Sequence, residues 1–369
     1  MKTEEMWATV AISRPGYNPV RLLSQHEPMT VWLPERLMGV DLPRVSVHYF
    51  AKPLGEWIAE VFHDYRHWIL VMPVSLATRL IAPLIRDKRT DPSVTVVDDA
   101  GRYAVCLLSC HWGRGNAVTR QVAQILQATP VITTATDSLG LPALEFIGHE
   151  WHWHLENPRM IAPISRMMLE QEKVGVIQES GSPDWRHRDA FSCIYDSWEH
   201  VPLSAFREIR GWLWITHRLT SLPKEIGQTP VLIYRPKVLS LGIGFSRCAR
   251  EDDLDRLILR VLAENSLSAH SVDWIVTTSV KRNDQELEKW AAHRKWRIRY
   301  ASASELNSIG SKSPSQFNPS VFEATGAYAV AEPAAILGAG GGSLLVPKCK
   351  SKCVTVAIAL KQTDNLNSL

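Results

Sequence analysis

The densest set of residues able to grip an acidic ligand and move a proton is LLSCHWGRGN, residues 107–116. An apolar run stops there at Cys110-His111, and Gly113 and Gly115 bracket Arg114. YAVCLL, residues 103–108, reads as a buried strand, and residues 116–126 place Val118, Val122, Ile125 and Leu126 on one helical face. The stretch therefore hands a strand over to a helix, where unpaired backbone N–H groups and the positive end of the helix dipole suit a carboxylate or phosphate. Gly113 and Gly115 let the backbone approach such a group, His111 and Arg114 offer charge-assisted hydrogen bonds, and Asn116 is placed to cap the helix. An ordinary tight turn would use the same residues, and the pattern is neither a Walker loop nor a GxGxxG fingerprint.

Other stretches carry related chemistry. PVITTATD, residues 130–137, ends a strand in Thr133, Thr134, Thr136 and Asp137, which suit carboxylate or amide binding and equally serve as turn and cap residues. In DKRTDP, residues 87–92, Lys88 and Arg89 either face a ligand or complement a helix C-terminus. Further on, LGIGFSR sets Gly242 and Gly244 at a strand end before Arg247, a spacing that fits a backbone nest for an anion. Lys281, after the strand WIVTTSV, and Glu332, opening the helix EPAAIL, are the remaining candidate contacts, although Glu332 also fits a first-turn carboxylate favouring the dipole. No metal is expected. GHEWHWH, residues 148–154, lacks the HExxH spacing, and CKSKC, residues 349–353, has no second ligand pair.

The elements that must position these groups follow from length and periodicity. At 369 residues the chain exceeds one comfortable core, so more than one domain is expected. Over residues 1–137 strand candidates (TVAI, TVWL, WILVMPV, VTVVD, YAVCLL, PVITT) alternate with helices such as PLGEWIAEVF, which predicts an α/β domain with a largely parallel sheet. Ligands in such sheets bind beyond the carboxyl ends of strands, where both the His111 turn and the end of PVITT fall. Residues 138–236 read as a small α/β middle module and residues 237–369 as an α/β carboxyl-terminal domain, with an exposed Ser/Pro-rich loop at 308–320.

Lys+Arg 41 against Asp+Glu 38 is too balanced for a nucleic-acid binder that relies on a basic face. The most apolar stretch, residues 68–85, is broken by Pro73, Arg79 and Pro83 and reads as strand then amphipathic helix, not as a membrane span. The start MKTEEMWATV is not a signal peptide, and six scattered cysteines form no disulfide framework, which points to the cytoplasm.

Taken in order, these motifs resemble a known family. The run RLIAPLIRDKRTDPSVTVVDDAGRYAVCLLSCHWGRGNAVTRQVAQILQATPVITTATD resembles the amino-terminal domain of the cobalt-precorrin-5A hydrolases of anaerobic cobalamin biosynthesis. LGIG, the strand ending at Lys281, GAYAVAEPAAILGAG, LLVPK and TVAIAL resemble that family's carboxyl-terminal domain, and only the middle segment matches loosely. The resemblance implies a cobalt-corrinoid substrate bearing acetate and propionate arms, opening of its ring A δ-lactone, and release of a bridge carbon with its methyl as acetaldehyde. It implies no cofactor of the protein's own, since the cobalt arrives with the substrate; other corrin-pathway enzymes are candidate partners.

On this reading His111 is the first choice for proton transfer, with Lys88 or Asp137 assisting. Gly113, Arg114, Asn116, Thr133, Thr134, Thr136, Gly242, Gly244, Lys281 and Glu332 would hold the substrate. A non-catalytic carrier of cobalt-corrinoid intermediates is the alternative. The chain also departs from the family pattern: Cys110 and Arg114 stand where it has glycines, MPVSLATR replaces a glycine-rich strand end, and Phe245-Ser246-Arg247 replaces its Cys-Arg.

Overall fold

The computed structural model describes residues 7–39, 42, 45–185, 188–246, 249–309 and 319–362. Residues 1–6, Arg247 and most of the expected Ser/Pro-rich loop lie outside the described residues. The chain divides into two compact units, Met1–Glu145 and Phe146–Leu369.

The first unit contains β1 (Trp7–Ala11), β2 (Met29–Pro34), β3 (Ser46–Phe50), β4 (His67–Val71), β5 (Ser93–Val97), β6 (Tyr103–Leu108) and β7 (Thr129–Val131). Its helices are α1 (Tyr17–His26), α2 (Leu54–Val61), α3 (Val74–Ile81), α4 (Gly115–Leu126) and the single turn α5 (Ala135–Ser138). The strands lie in the order β3-β2-β1-β4-β5-β6-β7. β1, β4 and β5 are buried along their whole length, as strands covered by helices on both faces must be. One face packs Val118, Val122 and Ala123 of α4 with Val20 and Leu23 of α1, and the other packs Trp57 and Ile58 of α2 with Ala77 and Ile81 of α3.

The sheet is largely parallel, as expected, with one reversal: β6 runs antiparallel to β5 and parallel to β7. The cause is local. Asp98 and Arg102 bound a tight turn in which Gly101 takes φ 66° and its N–H reaches the Asp98 carbonyl at 2.8 Å. The Asp98 carboxylate accepts the Arg102 and Tyr103 N–H groups at 2.7 Å each. A connection this short makes a hairpin, because a parallel crossover needs a dozen residues or more.

In the second unit a five-stranded sheet is built from β8 (His154–Leu155), β9 (Val174–Gln178), β10 (Cys193–Tyr195), β11 (Gly211–Ile215) and β12 (Val231–Arg235), in the order β10-β9-β11-β12-β8. Its helices are α6 (Ile161–Leu169) and α7 (Leu203–Glu208). The other sheet of this unit contains β13 (Leu239–Phe245), β14 (Val272–Thr278), β15 (Arg297–Ala301), β16 (Ser343–Lys350) and β17 (Val354–Leu360), in the order β15-β14-β13-β17-β16. Around it lie α8 (Glu251–Glu264), α9 (Gln285–Arg294), α10 (Ala303–Ser308), α11 (Pro319–Thr325) and α12 (Ala331–Gly338). The apolar stripe Leu254, Leu257, Ile258, Val261 and Leu262 of α8 is buried in the core, as its helical spacing predicts. Among the described residues no helix is long and apolar enough to cross a membrane.

The opposite face of this last sheet is built for close approach. A Cβ on Gly242 would stand 1.8 Å from the Ala331 carbonyl oxygen and 2.3 Å from the Ala335 nitrogen. Gly242 is therefore a packing residue that lets α12 lie on the backbone of β13. Gly242→Ala must lift α12 off the sheet and should cost about 3 kcal/mol or more. Chemical denaturation of the variant measures this, and a loss below about 1 kcal/mol would show that α12 does not pack as described.

Candidate active site

The reversal of β6 decides which loops meet. It brings the carboxyl ends of β6 and β7 to the end of the sheet where β5 begins, so residues 85–92, 109–114 and 132–134 share that end. The expectation that the His111 turn lies with the carboxyl ends of the parallel strands is corrected accordingly: those of β1 to β5 are at the other end. β7 is also shorter than PVITT, because the chain leaves the sheet after Val131 and opens α5 at Ala135.

The turn itself is a packed structure. The Arg114 N–H reaches the His111 carbonyl at 2.7 Å, Gly115 reaches Ser109 at 3.1 Å, and Asn116 reaches Cys110 at 3.0 Å. The Gly115 and Asn116 amides that open α4 are thus spent on the turn's own carbonyls. A Cβ on Gly113 would lie 2.6 Å from the Cβ of Ser109 and 3.2 Å from that of Ser93, so this glycine seats the turn on the start of β5. Gly115 has the same role against Cys106 and the Leu108 carbonyl, each 3.0 Å from a built Cβ. Asn116 does not cap the helix: the cap position is Arg114, which takes a left-handed conformation at φ 58°, ψ 21° with no side-chain cap bond. An L-residue there is strained by about 1–2 kcal/mol, whereas glycine adopts it freely.

Asn116 instead joins a polar node. Its amide donates to the Thr134 hydroxyl at 3.0 Å and to Asp137 Oδ2 at 2.7 Å, and Thr134 donates to the same oxygen at 2.7 Å. Arg120, four residues along the same helix face, donates to Asp137 Oδ1 at 2.5 Å. Burial acts to raise the Asp137 carboxyl, but the Arg120 guanidinium, the Thr134 hydroxyl and the Asn116 amide outweigh it and hold the carboxyl below its ordinary range. Asn116 Oδ1, Ser109 Oγ and Thr136 Oγ1 are buried beside this node without a hydrogen-bond partner. Thr133 is exposed.

His111 is half-buried, and its Nδ1 stands 3.7 Å from Glu145 Oε1, a carboxylate whose side chain is 9% exposed. Lys88 is exposed on the loop before β5, where Asp87 is occupied by Arg89 at 2.9 Å. Cys106 donates to the Cys110 sulfur, which lowers the Cys110 thiol to about 7 against the opposing effect of burial, while Cys106 is pushed well up. The nearby Asp137 charge raises both thiols, placing the pair beside the node.

In the second unit, β13, β14 and β15 are parallel and end together, and the β16–β17 hairpin turns at the same end. Gly242 and Gly244 are extended strand residues paired with Ala357 and Thr355, so the nest suggested by their spacing does not form. Lys281 follows β14 with its Nζ 4.3 Å from the centre of the Phe245 ring. Val330, at the start of α12, lies 3.9 Å from a Cβ built on Gly244, bringing the first turn of that helix to this end. Glu332 is buried there and accepts the Lys348 N–H at 2.9 Å, tying α12 to β16.

Sequence reasoning missed Arg120 and Glu145. Arg120 was legible from its i+4 spacing to Asn116. Glu145 lies 34 residues (145 − 111) beyond His111 with no local pattern linking them. The HExxH-like segment is otherwise employed: Trp153 fills the space beside Gly148 and Gly181, where added Cβ atoms would lie 2.0 and 2.7 Å from its ring.

Comparison with known proteins supplies the context. Residues 56–137 match the family model for cobalamin synthesis G N-terminal, and residues 239–359 match that for cobalamin synthesis G C-terminus. The chain is 33% identical over 367 residues, 97% of its length and 96% of the relative's, to a cobalt-precorrin-5A hydrolase from Priestia megaterium. It is 27% identical to a cobalt-precorrin-5A hydrolase from Salmonella typhimurium, over 82% of this chain and 84% of that one. A solved cobalamin biosynthesis protein G homolog from Sulfolobus solfataricus is 21% identical and covers 97% of each chain, with a TM-score of 0.38.

The geometry of the turn yields two expected outcomes. Iodoacetamide should alkylate Cys110 with a half-maximal rate near pH 7, below an ordinary thiol at roughly 8.5, and leave Cys106 unmodified. Site-resolved mass spectrometry checks this, and equal labelling of both would contradict the paired-thiol geometry. Arg114→Gly should raise stability by up to about 1 kcal/mol by relieving the left-handed arginine; a loss of stability in denaturant titration would show that the side chain contributes structurally.

Proposed function

This chain belongs to the cobalamin synthesis G family, and from that premise we propose that it opens the ring A δ-lactone of cobalt-precorrin-5A and releases acetaldehyde, leaving cobalt-precorrin-5B. It is a hydrolase of cobalamin biosynthesis acting on a cobalt-corrinoid substrate; the observation that carries this is 33% identity sustained over nearly the full length of both proteins.

Within the first unit, we assign His111 the proton transfer. Its Nδ1 faces the Glu145 carboxylate 3.7 Å away, which orients the ring and leaves Nε2 for the lactone and its attacking water. Asp137 is assigned as a positioning residue rather than a proton donor: both its oxygens already accept hydrogen bonds, and it stays ionised. Through Asn116 and Thr134 it fixes the wall of the turn. Arg114, exposed at the tip, and the exposed Lys88 are assigned as contacts for a substrate carboxylate. In the second unit taken by itself, Lys281 is a candidate contact for an acidic group. On this reading the cobalt enters with the substrate.

The test is turnover of cobalt-precorrin-5A with acetaldehyde measured directly. The expected result is stoichiometric release; a shifted corrinoid spectrum with no acetaldehyde would identify a carrier instead. His111→Ala should keep substrate affinity and lose roughly 10²- to 10⁴-fold in turnover. Arg114→Gly should weaken binding by about 1.5–3 kcal/mol with little change at saturation. Normal turnover in His111→Ala would move the proton-transfer role elsewhere, with Lys281 next to be tested.

A further inference from the structure

The opposite end of the amino-terminal sheet carries a feature that the catalytic reading does not use. At the carboxyl ends of β1, β2 and β3 lies a groove of about 310 Å³. Ile12 follows β1, Phe50 ends β3 and Leu54 opens α2, and together they form an apolar floor. Phe50 is held rigid by stacking on Trp57, with ring centres 4.3 Å apart and planes 10° from parallel. The rim is charged: Arg36 and Lys52 against Glu35.

The two cations differ. Lys52 is neutralised by Glu60, 2.6 Å away. Arg36 donates from Nη2 to the Ile12 carbonyl at 2.5 Å, which holds the guanidinium at the groove, and among the described residues its charge meets that carbonyl rather than a carboxylate. Parallel α/β sheets bind ligands beyond the carboxyl ends of their strands, beside the point where strand order reverses. Here the chain runs outward from β1 to β2 and β3 before returning to β4 on the other side of β1, and the groove lies over the carboxyl ends of that outward run. Its volume equals that of roughly ten water molecules at ~30 Å³ each, near the lower limit for small-ligand sites and far too small for a tetrapyrrole. The groove also lies outside the residues matched by either family model.

We propose that this groove is a second ligand site, for a compact organic anion whose apolar body rests on Ile12, Phe50 and Leu54 and whose carboxylate or phosphate meets Arg36. The site is independent of the hydrolytic reading, since none of its residues lies in the cluster around His111.

Calorimetric titration of the full chain with benzoate, phenyl phosphate, phenol and inorganic phosphate tests it. The expected result is saturable binding of benzoate or phenyl phosphate, at least about 10-fold tighter than either phenol or inorganic phosphate, which each supply only half of the required chemistry. Whichever of the two anions binds tighter identifies the acid group the site is built for. Arg36→Glu should weaken that binding at least about 10-fold, and Ala51→Phe, which fills the groove from its rim, should abolish it, with cobalt-precorrin-5A turnover unchanged in both. The proposal fails if neither anion binds saturably, if phenol binds as well, or if binding survives both substitutions. It fails equally if either variant loses turnover, because the groove would then belong to the hydrolytic site.

Discussion

The architecture of the site depends on one pairing, β6 laid antiparallel against β5. Were the sheet parallel throughout, the His111 turn would open at the opposite end from the start of β5, and the loops holding Lys88 and His111 would be separated by the length of a strand. The Asp98 turn enforces the reversal by placing Gly101 in a left-handed conformation and spending a carboxylate on two adjacent N–H groups. Everything on that end of the sheet follows from it. Gly113 rests on Ser93 because β5 begins there, and Ser93 in turn bonds the buried His67 ring at 2.7 Å.

A second constraint acts inside the turn. Its glycines are used for packing, and the Gly115 and Asn116 amides are spent on the turn's own carbonyls rather than left for an anion. Arg114 accepts a strained backbone to stand at the exposed tip, and Asp137 with Arg120, Asn116 and Thr134 stiffens the wall behind it. Such local strain persists where the surroundings over-determine it, and it concentrates at functional sites. Here the Arg114 backbone is held on both sides, its N–H on the His111 carbonyl and its carbonyl under the Val118 N–H.

Much of this was legible in the sequence, for physical reasons that vary by element. Helices with a strong apolar stripe, such as α2, α4 and α8, follow from periodicity alone. Fully buried strands such as β4, β5 and β9 are predominantly apolar, Val- and Ile-rich runs and equally plain. The reversal of β6 was also present in the short DDAGR connection, but reading the domain as uniformly alternating strand and helix hid it. Gly242 and Gly244 misled because a GxG spacing is the same whether the glycines form a nest or admit a helix onto a strand; only the position of α12 separates the two. Asn116 looks like a cap by type and place, and its true partner, Asp137, is distant in sequence and reached only once β7 returns alongside β6. Glu145 could not have been found, since its pairing with His111 is purely tertiary.

The central claim is that the corrinoid reacts at this end of the amino-terminal sheet, against the turn that holds Cys110 and His111. Substrate protection of Cys110 tests it without altering the protein. The rate of iodoacetamide labelling at Cys110 is measured with and without saturating cobalt-precorrin-5A, within the time before the substrate is exhausted. The account predicts that bound substrate slows labelling by at least about 10-fold, as expected when a half-exposed thiolate is covered. An unchanged rate while acetaldehyde is being released would contradict it and place the reaction elsewhere in the chain.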